Sequence, residues 1–218
     1  MRLAAMLLLL LSSGCGRVSL FDFAEKEYGW RTQAEKRCLA KGVVRANAYV
    51  RPMSPINGNG VCGIGQPFKV NASLQGDVWL DPGATLDCTM TEALDRWLAE
   101  VVQPAAYRHF GVPVIGARNL GSYSCRTRNG SKGAKISEHA FGNAIDISAF
   151  MLAGGRWVAI KTGWRGAPAE RNFWREIHSA ACKRFFTVLG PDADSFHSDH
   201  LHLDLARHNR DGSYRHCK

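Results

Sequence analysis

The clearest hydrophobic pattern in the chain is an apolar stripe with helical spacing in residues 89–107. Apolar side chains recur there every three or four residues, which predicts a helix with one buried face. The members of the stripe are Met90, Leu94, Trp97, Leu98, Val101 and Ala105. Thr89 and Glu92 stand in the capping-box arrangement, so we expect the helix to begin at Thr89. Trp97 is in phase with the aliphatic positions and is interpreted as core, not as a sugar-binding surface.

Two other segments have helical patterns. Residues 21–40 form a polar lead-in that we expect to be helical, broken at Gly29 and ended by Gly42. A further helix is predicted to begin near Pro168. Its buried face consists of Phe173, Trp174, Ile177 and Ala181. The tryptophans of this half that we interpret as core, and not as a glycan platform, are Trp157, Trp164 and Trp174.

Several segments have the composition of strands. Residues 144–150 and 156–160 flank the Gly154-Gly155 turn, which predicts a hairpin. Shorter strands are expected at residues 44–50, 67–74, 77–80, 185–190 and 200–206. From helices and short strands together we predict an α+β fold, in which helices pack on a largely antiparallel sheet.

In the two strands that carry Asp146 and His202, alternation decides where the polar side chains point. The apolar residues of the first strand share one face, so the carboxylate of Asp146 is expected on the other. In the second strand three leucines occupy the core face and turn His200, His202 and Asp204 away from it. Two histidines and one carboxylate suit a catalytic zinc, because the fourth tetrahedral position stays free for water.

The N-terminal residues have the layout of an export signal. Arg2 precedes the apolar residues 3–11, and small residues follow. The apolar run is too short for a comfortable membrane span. We therefore expect a signal peptide at residues 1–14, a lead-in at residues 15–37 and one domain at residues 38–218. The protein is expected in the periplasm or cell envelope.

Cys15 is the odd member of seven cysteines. Cleavage before Cys15 would give a lipid-anchored protein. An ordinary cleaved signal is the alternative, because Ser12 stands where lipoprotein signals usually carry an aliphatic residue. The other six cysteines form an even set, which predicts three disulfides of open pairing in an oxidising compartment. They are Cys38, Cys62, Cys88, Cys125, Cys182 and Cys217.

The formal net charge of +9 first suggests a nucleic-acid partner. The basic residues are scattered, however, without a Lys/Arg-rich run, so no nucleic acid is expected. An acidic polymer outside the cytoplasm, such as peptidoglycan stem peptides or wall polyanions, fits better, and a merely solvated basic surface is the alternative. The sequence has no Gly-rich phosphate loop, serine-nucleophile elbow or His-Glu-x-x-His helix, which argues against nucleotide-binding, serine-hydrolase and thermolysin-like classes.

A colinear set of motifs resembles a known family. Ser-x-His-x-x-Gly-x-Ala-x-Asp at residues 137–146 and Asp-x-x-His at residues 199–202 resemble the zinc peptidases of the D-alanyl-D-alanine carboxypeptidase and lysostaphin group. Together with GDVWLDPGATLDC, VVQPAA, GSYSCRTRNG and AACKRFFTVLGPDAD, they resemble the C-terminal domain of bacterial extensin-like proteins. The resemblance covers roughly residues 38–218, and such a set is far more specific than a lone His-x-His.

The resemblance implies a zinc site with the ligands His139, Asp146 and His202. It also implies Asp199 as the general base, three residues before the last ligand. In some members of the peptidase group the first histidine of the pair assists instead. His200 is therefore an alternative base or a donor of a hydrogen bond to the transition state.

Arg126 resembles the arginine that steadies a substrate carbonyl or carboxylate, and Arg128 is the second choice for that role. Ser137 and Glu138 are expected to orient His139 or to line the cleft. The residues interpreted as structural are Asp204, His197 and His208. Of these, Asp204 is expected to orient one of the metal ligands without itself contacting the metal.

The leading hypothesis is zinc-dependent hydrolysis of amide bonds in peptidoglycan stem peptides or crosslinks. Carboxypeptidase and endopeptidase action both stay open. The alternative is a non-catalytic, exported wall-binding or structural domain that retains the zinc fold. Eight scattered prolines exclude a proline-rich extensin rod. Three protein ligands accompanied by Asp199 favour the enzyme, because a structural zinc is more often closed by four protein ligands.

Overall fold

A computed structural model describes residues 20–209 and 211–218, with the side chains from residue 29 onward. The expected signal peptide and Cys15 lie outside these residues. The described α-helices are α1 (Leu20–Lys41), α2 (Cys88–Trp97), α3 (Gln103–Phe110), α4 (Ile160–Gly163) and α5 (Pro168–Ala181). Among the described helices, none has the length and apolar character needed to cross a membrane.

Nine strands in the described part of the chain form one sheet. They are β1 (Val50–Pro52), β4 (Phe68–Ser73), β5 (Val78–Leu86), β6 (Val114–Gly121), β7 (Ala144–Leu152), β8 (Trp157–Ala159), β9 (Thr187–Leu189), β10 (Leu201–Asp204) and β11 (His216–Cys217). The order is β1-β4-β5-β6-β7-β10-β9-β11, and β8 forms the predicted hairpin with β7. Strands β2 (Ile56–Asn57) and β3 (Gly63–Ile64) pair separately. Only β5 with β6 and β9 with β11 are parallel among these strands, so the α+β prediction is confirmed.

An aromatic cluster joins the helices to the sheet. The ring of Trp97 in α2 lies 6.0 Å from the rings of both Phe150 in β7 and Phe185. Phe150 also stacks on Trp174 of α5, with ring centroids 5.4 Å apart. Trp97, Trp164 and Trp174 are buried, which confirms their interpretation as core, whereas Trp157 is only partly buried.

The helix predicted at residues 89–107 differs from the observed one at its start and in its middle. Asp87 is the N-cap, because its carboxylate accepts the N–H of Met90 at 2.6 Å, while the Thr89 hydroxyl donates to the same carboxylate. The capping box at Thr89 was therefore the wrong assignment. A π-helical segment, Leu98–Val102, separates α2 from α3. It lies just before Pro104, which has no N–H to continue a regular α-helix.

The lead-in helix is continuous where a break was predicted. Helix α1 passes through Gly29, since an interior glycine costs only about 1 kcal/mol. It ends at Gly42 as predicted, where φ is +60° and the N–H donates to Leu39 O at 3.0 Å.

The strand expected at residues 44–50 is mostly absent, because the Asn47 side chain accepts the N–H groups of Tyr49 and Val50 and forms a turn.

The six paired cysteines form three disulfides in the part of the chain that the structure describes, as predicted. They are Cys38–Cys88, Cys62–Cys125 and Cys182–Cys217. The first ties α1 to the start of α2. The second ties the β2–β3 hairpin to the loop after β6, and the third ties the end of α5 to β11. Each bond therefore fixes a peripheral segment to another part of the fold.

Candidate metal centre

Strands β7 and β10 bring two of the predicted ligands face to face. They pair antiparallel with His202 opposite Asp146. The neighbouring residues Ile145, Ile147 and Leu203 are fully buried on the core face. Period-two alternation therefore turns the carboxylate and the imidazole together onto the opposite face, as the sequence predicted.

The third predicted ligand, His139, lies in a 3₁₀ turn, Glu138–Phe141, just before β7. Ser137 caps this turn, since its hydroxyl accepts the N–H of His139. Gly142 ends the turn at φ +64°, where a Cβ would lie 2.3 Å from Ile64 Cδ1. Only glycine fits both this backbone conformation and this close approach.

The three predicted ligands form a compact cluster. His139 Nε2 lies 3.2 Å from both His202 Nδ1 and an oxygen of Asp146, and His202 Nδ1 lies 2.9 Å from the other Asp146 oxygen. In the part of the chain that the structure describes, these residues form the one group of three or more potential metal ligands within 4.8 Å of one another. Gly121 makes room for it, because a Cβ there would lie 2.7 Å from Asp146 Oδ2.

The outward nitrogen of each histidine has a hydrogen-bond acceptor. His139 Nδ1 lies 2.6 Å from the carbonyl oxygen of Ser122, and His202 Nε2 lies 3.0 Å from Asp204 Oδ2. Both outward nitrogens can therefore donate to these acceptors, while both inward nitrogens lie within hydrogen-bonding distance of Asp146. Exchange of the inward protons for a metal would direct two lone pairs and a carboxylate at one point, and the nitrogen and oxygen donors suit zinc.

The pKa shifts of Asp146 and His202 also bear on metal binding by the cluster. Burial opposes ionisation of Asp146, but hydrogen bonds from His139 and His202 hold the pKa of its carboxyl well below the usual range. Burial also opposes protonation of His202, but Asp146 and Asp204 raise its pKa to about 10. In the metal-free cluster a protonated His202 therefore balances part of the carboxylate charge, and a bound cation would take the place of that proton.

The cluster opens into a pocket of about 500 Å³. His200 lines this pocket, with Nε2 3.7 Å from Asp146 Oδ1. Asp199 does not line it, and its half-exposed carboxylate instead contacts Nδ1 of His200 at 3.0 Å. The two candidate bases thus form a hydrogen-bonded pair, with the imidazole nearer to the cluster.

Arg126 lines the same pocket and is half-buried. Its side chain makes no ion pair or hydrogen bond with any described residue, while its carbonyl oxygen accepts the N–H of Ser137 at 3.0 Å. The adjacent Cys125 is joined to Cys62. The guanidinium is therefore held at the pocket by its backbone and remains available to a ligand.

Ser137 and Glu138 both line the pocket, one of the two positions that the sequence predicts for them, but neither holds the imidazole of His139. The ring contacts Ser122 O, whereas Ser137 caps the turn and Glu138 is buried against another charge. Arg31 of α1 donates to both oxygens of Glu138, which also accepts from Asn143 at 2.6 Å. These two residues therefore shape the backbone that carries His139.

Sequence reasoning left two pocket residues with structural roles only. His197 is buried in the pocket wall, with Nδ1 2.8 Å from Asp194 and its ring 5.3 Å from that of His200. His208 reaches the wall through a hydrogen bond of 2.8 Å to Thr187 Oγ1. The available signal was the spacing of His197, three residues before the His-x-His pair.

Asp204 has the predicted position behind a ligand. It contacts His202 and also accepts from Thr187, so a hydrogen-bonded chain runs from His202 through Asp204 and Thr187 to His208. This chain joins the candidate cluster to a further residue that lines the pocket, His208.

These features define an α+β protein with a candidate metal centre on one face of its sheet. A family model described as the C-terminus of extensin-like proteins matches residues 36–218, and the chain belongs to this family. Comparison with curated proteins and with solved structures returns no match.

Proposed function

We propose that this protein is a zinc-dependent hydrolase of amide bonds in peptidoglycan stem peptides or crosslinks, related to the D-alanyl-D-alanine carboxypeptidase and lysostaphin group. The observation that carries the proposal is the convergence of two imidazoles, each with a hydrogen-bond partner on its outward nitrogen, and one carboxylate at the wall of an open pocket. A ligand set of this kind leaves a coordination position for chemistry.

His139, Asp146 and His202 would hold the metal. Zinc bound by them would supply a Lewis acid that polarises a carbonyl and acidifies water. His200 is placed to accept the proton of the attacking water and return it to the leaving amine, and Asp199 orients its ring. This pairing makes His200 a better proton acceptor than Asp199, whose carboxylate lies outside the pocket.

Arg126 is proposed to stabilise negative charge on the substrate, because its guanidinium lines the pocket without an acidic partner among the described residues. His197 is oriented by Asp194 and faces the same space, so it can donate a hydrogen bond to the polarised oxygen. A cation and a donor that line the same pocket would together fix the scissile bond at the proposed metal centre.

We infer an exported protein of the periplasm or cell envelope, with a lipid anchor at Cys15 as one form of attachment. Three disulfides in the described part of the chain support export, because such bonds persist in oxidising compartments. The formal net charge of +9 suits binding to an acidic polymer of the cell wall better than binding to a partner inside the cell.

The test combines metal analysis with digestion of purified sacculi, read by mass spectrometry. The wild-type protein should carry about one zinc per chain and release peptide fragments. His202→Ala should lose both, while His109→Ala, a histidine on α3 that pairs with Glu176, should keep both. Wild-type protein with full zinc content but no released fragment would favour the non-catalytic wall-binding alternative.

A further inference from the structure

Three basic residues outside the candidate ligand cluster line the same pocket. They are Arg128, His208 and His216, and we call these three residues the basic end. They come from three separate segments of the chain: the loop after β6, the segment after β10, and β11. The basic end and His202 line one continuous space of about 500 Å³, so one ligand can contact both.

The fold holds each member of the basic end in place. Arg128 begins a 3₁₀ turn three residues after the disulfide-bonded Cys125, and its N–H donates to Lys135 O at 2.9 Å. His216 lies in β11, paired with Thr187 of β9 and adjacent to the disulfide-bonded Cys217. His208 contacts the hydroxyl of the same Thr187. Two disulfides therefore fix the two walls that meet at this end.

The charges at the basic end are not balanced by the protein. Several surface arginines pair with acids, among them Arg108 with Glu176, Arg156 with Glu170 and Arg165 with Asp192. The side chain of Arg128 has no acidic partner among the described residues. Asp204, which lines the same pocket, is already engaged by His202.

The electrostatic surroundings of His216 are also mainly positive. Burial first, and then the positive charges of Lys218, His208 and Arg128, lower the pKa of His216, and only Asp204 opposes them. The rings of His208 and His216 lie 6.1 Å apart. Three groups able to carry positive charge thus face one space, which an anion would stabilise.

We propose that the basic end is a binding subsite for a carboxylate carried by the peptide substrate, separate from the group that binds at the metal centre. The substrate class is thereby narrowed to peptides with an acidic residue near the scissile amide. A guanidinium donates to a carboxylate through two parallel hydrogen bonds, and imidazole N–H groups add further donors. The limited volume shared with the metal cluster suits a short peptide branch and not a second polymer.

This inference rests on the proposed function for the position of the substrate, but binding does not require turnover. The probes are short peptides that end in two D-alanines and carry one glutamate, placed one, two or three residues before that pair. Each has a partner peptide with glutamine in place of glutamate. Because the C-terminal carboxylate is common to both peptides, their difference in Kd isolates the additional carboxylate. Calorimetric titration of the mature protein, zinc-loaded and zinc-depleted, gives the Kd values.

At one glutamate position the wild-type protein should bind the glutamate peptide about 10-fold more tightly than its partner. Arg128→Gln should remove that preference and His216→Gln should reduce it, with zinc content and circular dichroism unchanged. Lys132→Gln is the matched control, since Lys132 lies in the same loop but outside the pocket lining. The control should keep the full preference.

Equal Kd values for glutamate and glutamine peptides at all three positions would overturn the subsite, as would a preference that persists in Arg128→Gln. A wall polyanion that binds through Arg128 while the glutamate peptides show no preference would also overturn it. A glutamate preference in protein that hydrolyses no sacculi would support the subsite and count against the hydrolase. Hydrolysis of sacculi without any glutamate preference would support the hydrolase and count against the subsite.

Discussion

At the candidate metal centre, the partners of the outward ring nitrogens decide which nitrogen of each histidine can bind a metal. The Ser122 carbonyl can only accept, so His139 donates to it from Nδ1 and a metal would meet Nε2. Asp204 accepts from Nε2 of His202 in the same way, so a metal would meet Nδ1 of His202. The sequence indicates the ligands, but it does not indicate these partners, since Ser122 lies 17 residues from His139 in an irregular loop.

The pair formed by Asp199 and His200 gives a prediction about proton transfer. His200→Gln should lower the turnover of peptidoglycan fragments by about 100- to 10,000-fold with zinc retained, because a positioned general base contributes that much. Asp199→Asn should cost only about 10-fold, since it weakens the orientation of the ring without removing it. Single-turnover rates and zinc content are measured on the same preparations.

His109→Gln, outside the pocket, is the control for histidine replacement and should keep wild-type rates. A larger loss for Asp199→Asn than for His200→Gln would transfer the role of base to Asp199, the assignment that the resemblance implies.

Among the elements, β7 and β10 were predictable to the level of side-chain direction, because period-two alternation fixes which face each residue occupies. The same reasoning did not reach the pocket walls. Arg128 and His197 each lie in a short 3₁₀ segment. Their positions depend on disulfide pairing and on turns that have no repeating sequence pattern. Likewise the π-helical segment between α2 and α3 leaves no trace in the hydrophobic stripe.

Helix α1 is joined to the metal centre by a buried ion pair. Arg31 and Glu138 have side chains 13% and 2% exposed, and the Arg31 guanidinium also lies 4.4 Å from the centre of the Phe141 ring. Arg31→Met should lower the free energy of unfolding by about 3 kcal/mol, because it leaves the Glu138 carboxylate buried without its counter-ion. Urea unfolding is the measurement, and zinc affinity should fall with it as the His139 turn loosens.

Arg37→Met provides the control, as an exposed arginine on the same helix. The double variant Arg31→Met/Glu138→Gln should recover part of the loss, since it removes the uncompensated charge. Equal stability of Arg31→Met and Arg37→Met would contradict this account of the pair.

The N-cap of α2 gives a prediction for pH. Burial raises the pKa of Asp87 from 3.8 to about 7, although Met90 N–H and the Thr89 hydroxyl donate to its carboxylate. Between these values the folded protein holds a proton that the unfolded chain releases. The stabilising contribution of this group is therefore present at low pH and lost as the pH rises through about 7.

Wild-type protein should thus lose about 1 to 3 kcal/mol of stability through Asp87 between about pH 5 and about pH 8. Asp87→Asn retains a good capping side chain but not the charge, so its profile should be flatter. Urea titrations at both pH values test this, with the exposed Asp77→Asn as control. Parallel profiles for wild type and Asp87→Asn would argue against a titrating Asp87.

For the molecule as a whole, the sheet supplies two of the three residues of the candidate metal cluster, while disulfides fix segments that carry the surrounding walls. Two ligands lie on paired strands, and β7 and β10 are held by the core. Arg126 and Arg128 instead lie in a loop fixed by Cys62–Cys125. Two of the three proposed metal ligands therefore depend on the sheet, whereas the proposed substrate contacts depend on the loop, and a change in the loop should affect substrate binding more than zinc binding.

The double variant Cys62→Ser/Cys125→Ser tests this division. Loss of a bond between residues 63 apart should lower stability by about 4 kcal/mol, since the unfolded chain regains loop entropy. Below its unfolding temperature the variant should still bind about one zinc in the presence of micromolar metal, because the strand ligands remain. Its KM should rise by about 10-fold or more, because the two arginines lose their fixed approach to the pocket. Cys38→Ser/Cys88→Ser, which frees α1 from α2, is the matched control and should lose comparable stability with little change in KM. If both variants raise KM equally, the disulfides act only through global stability and the loop has no separate role in holding substrate.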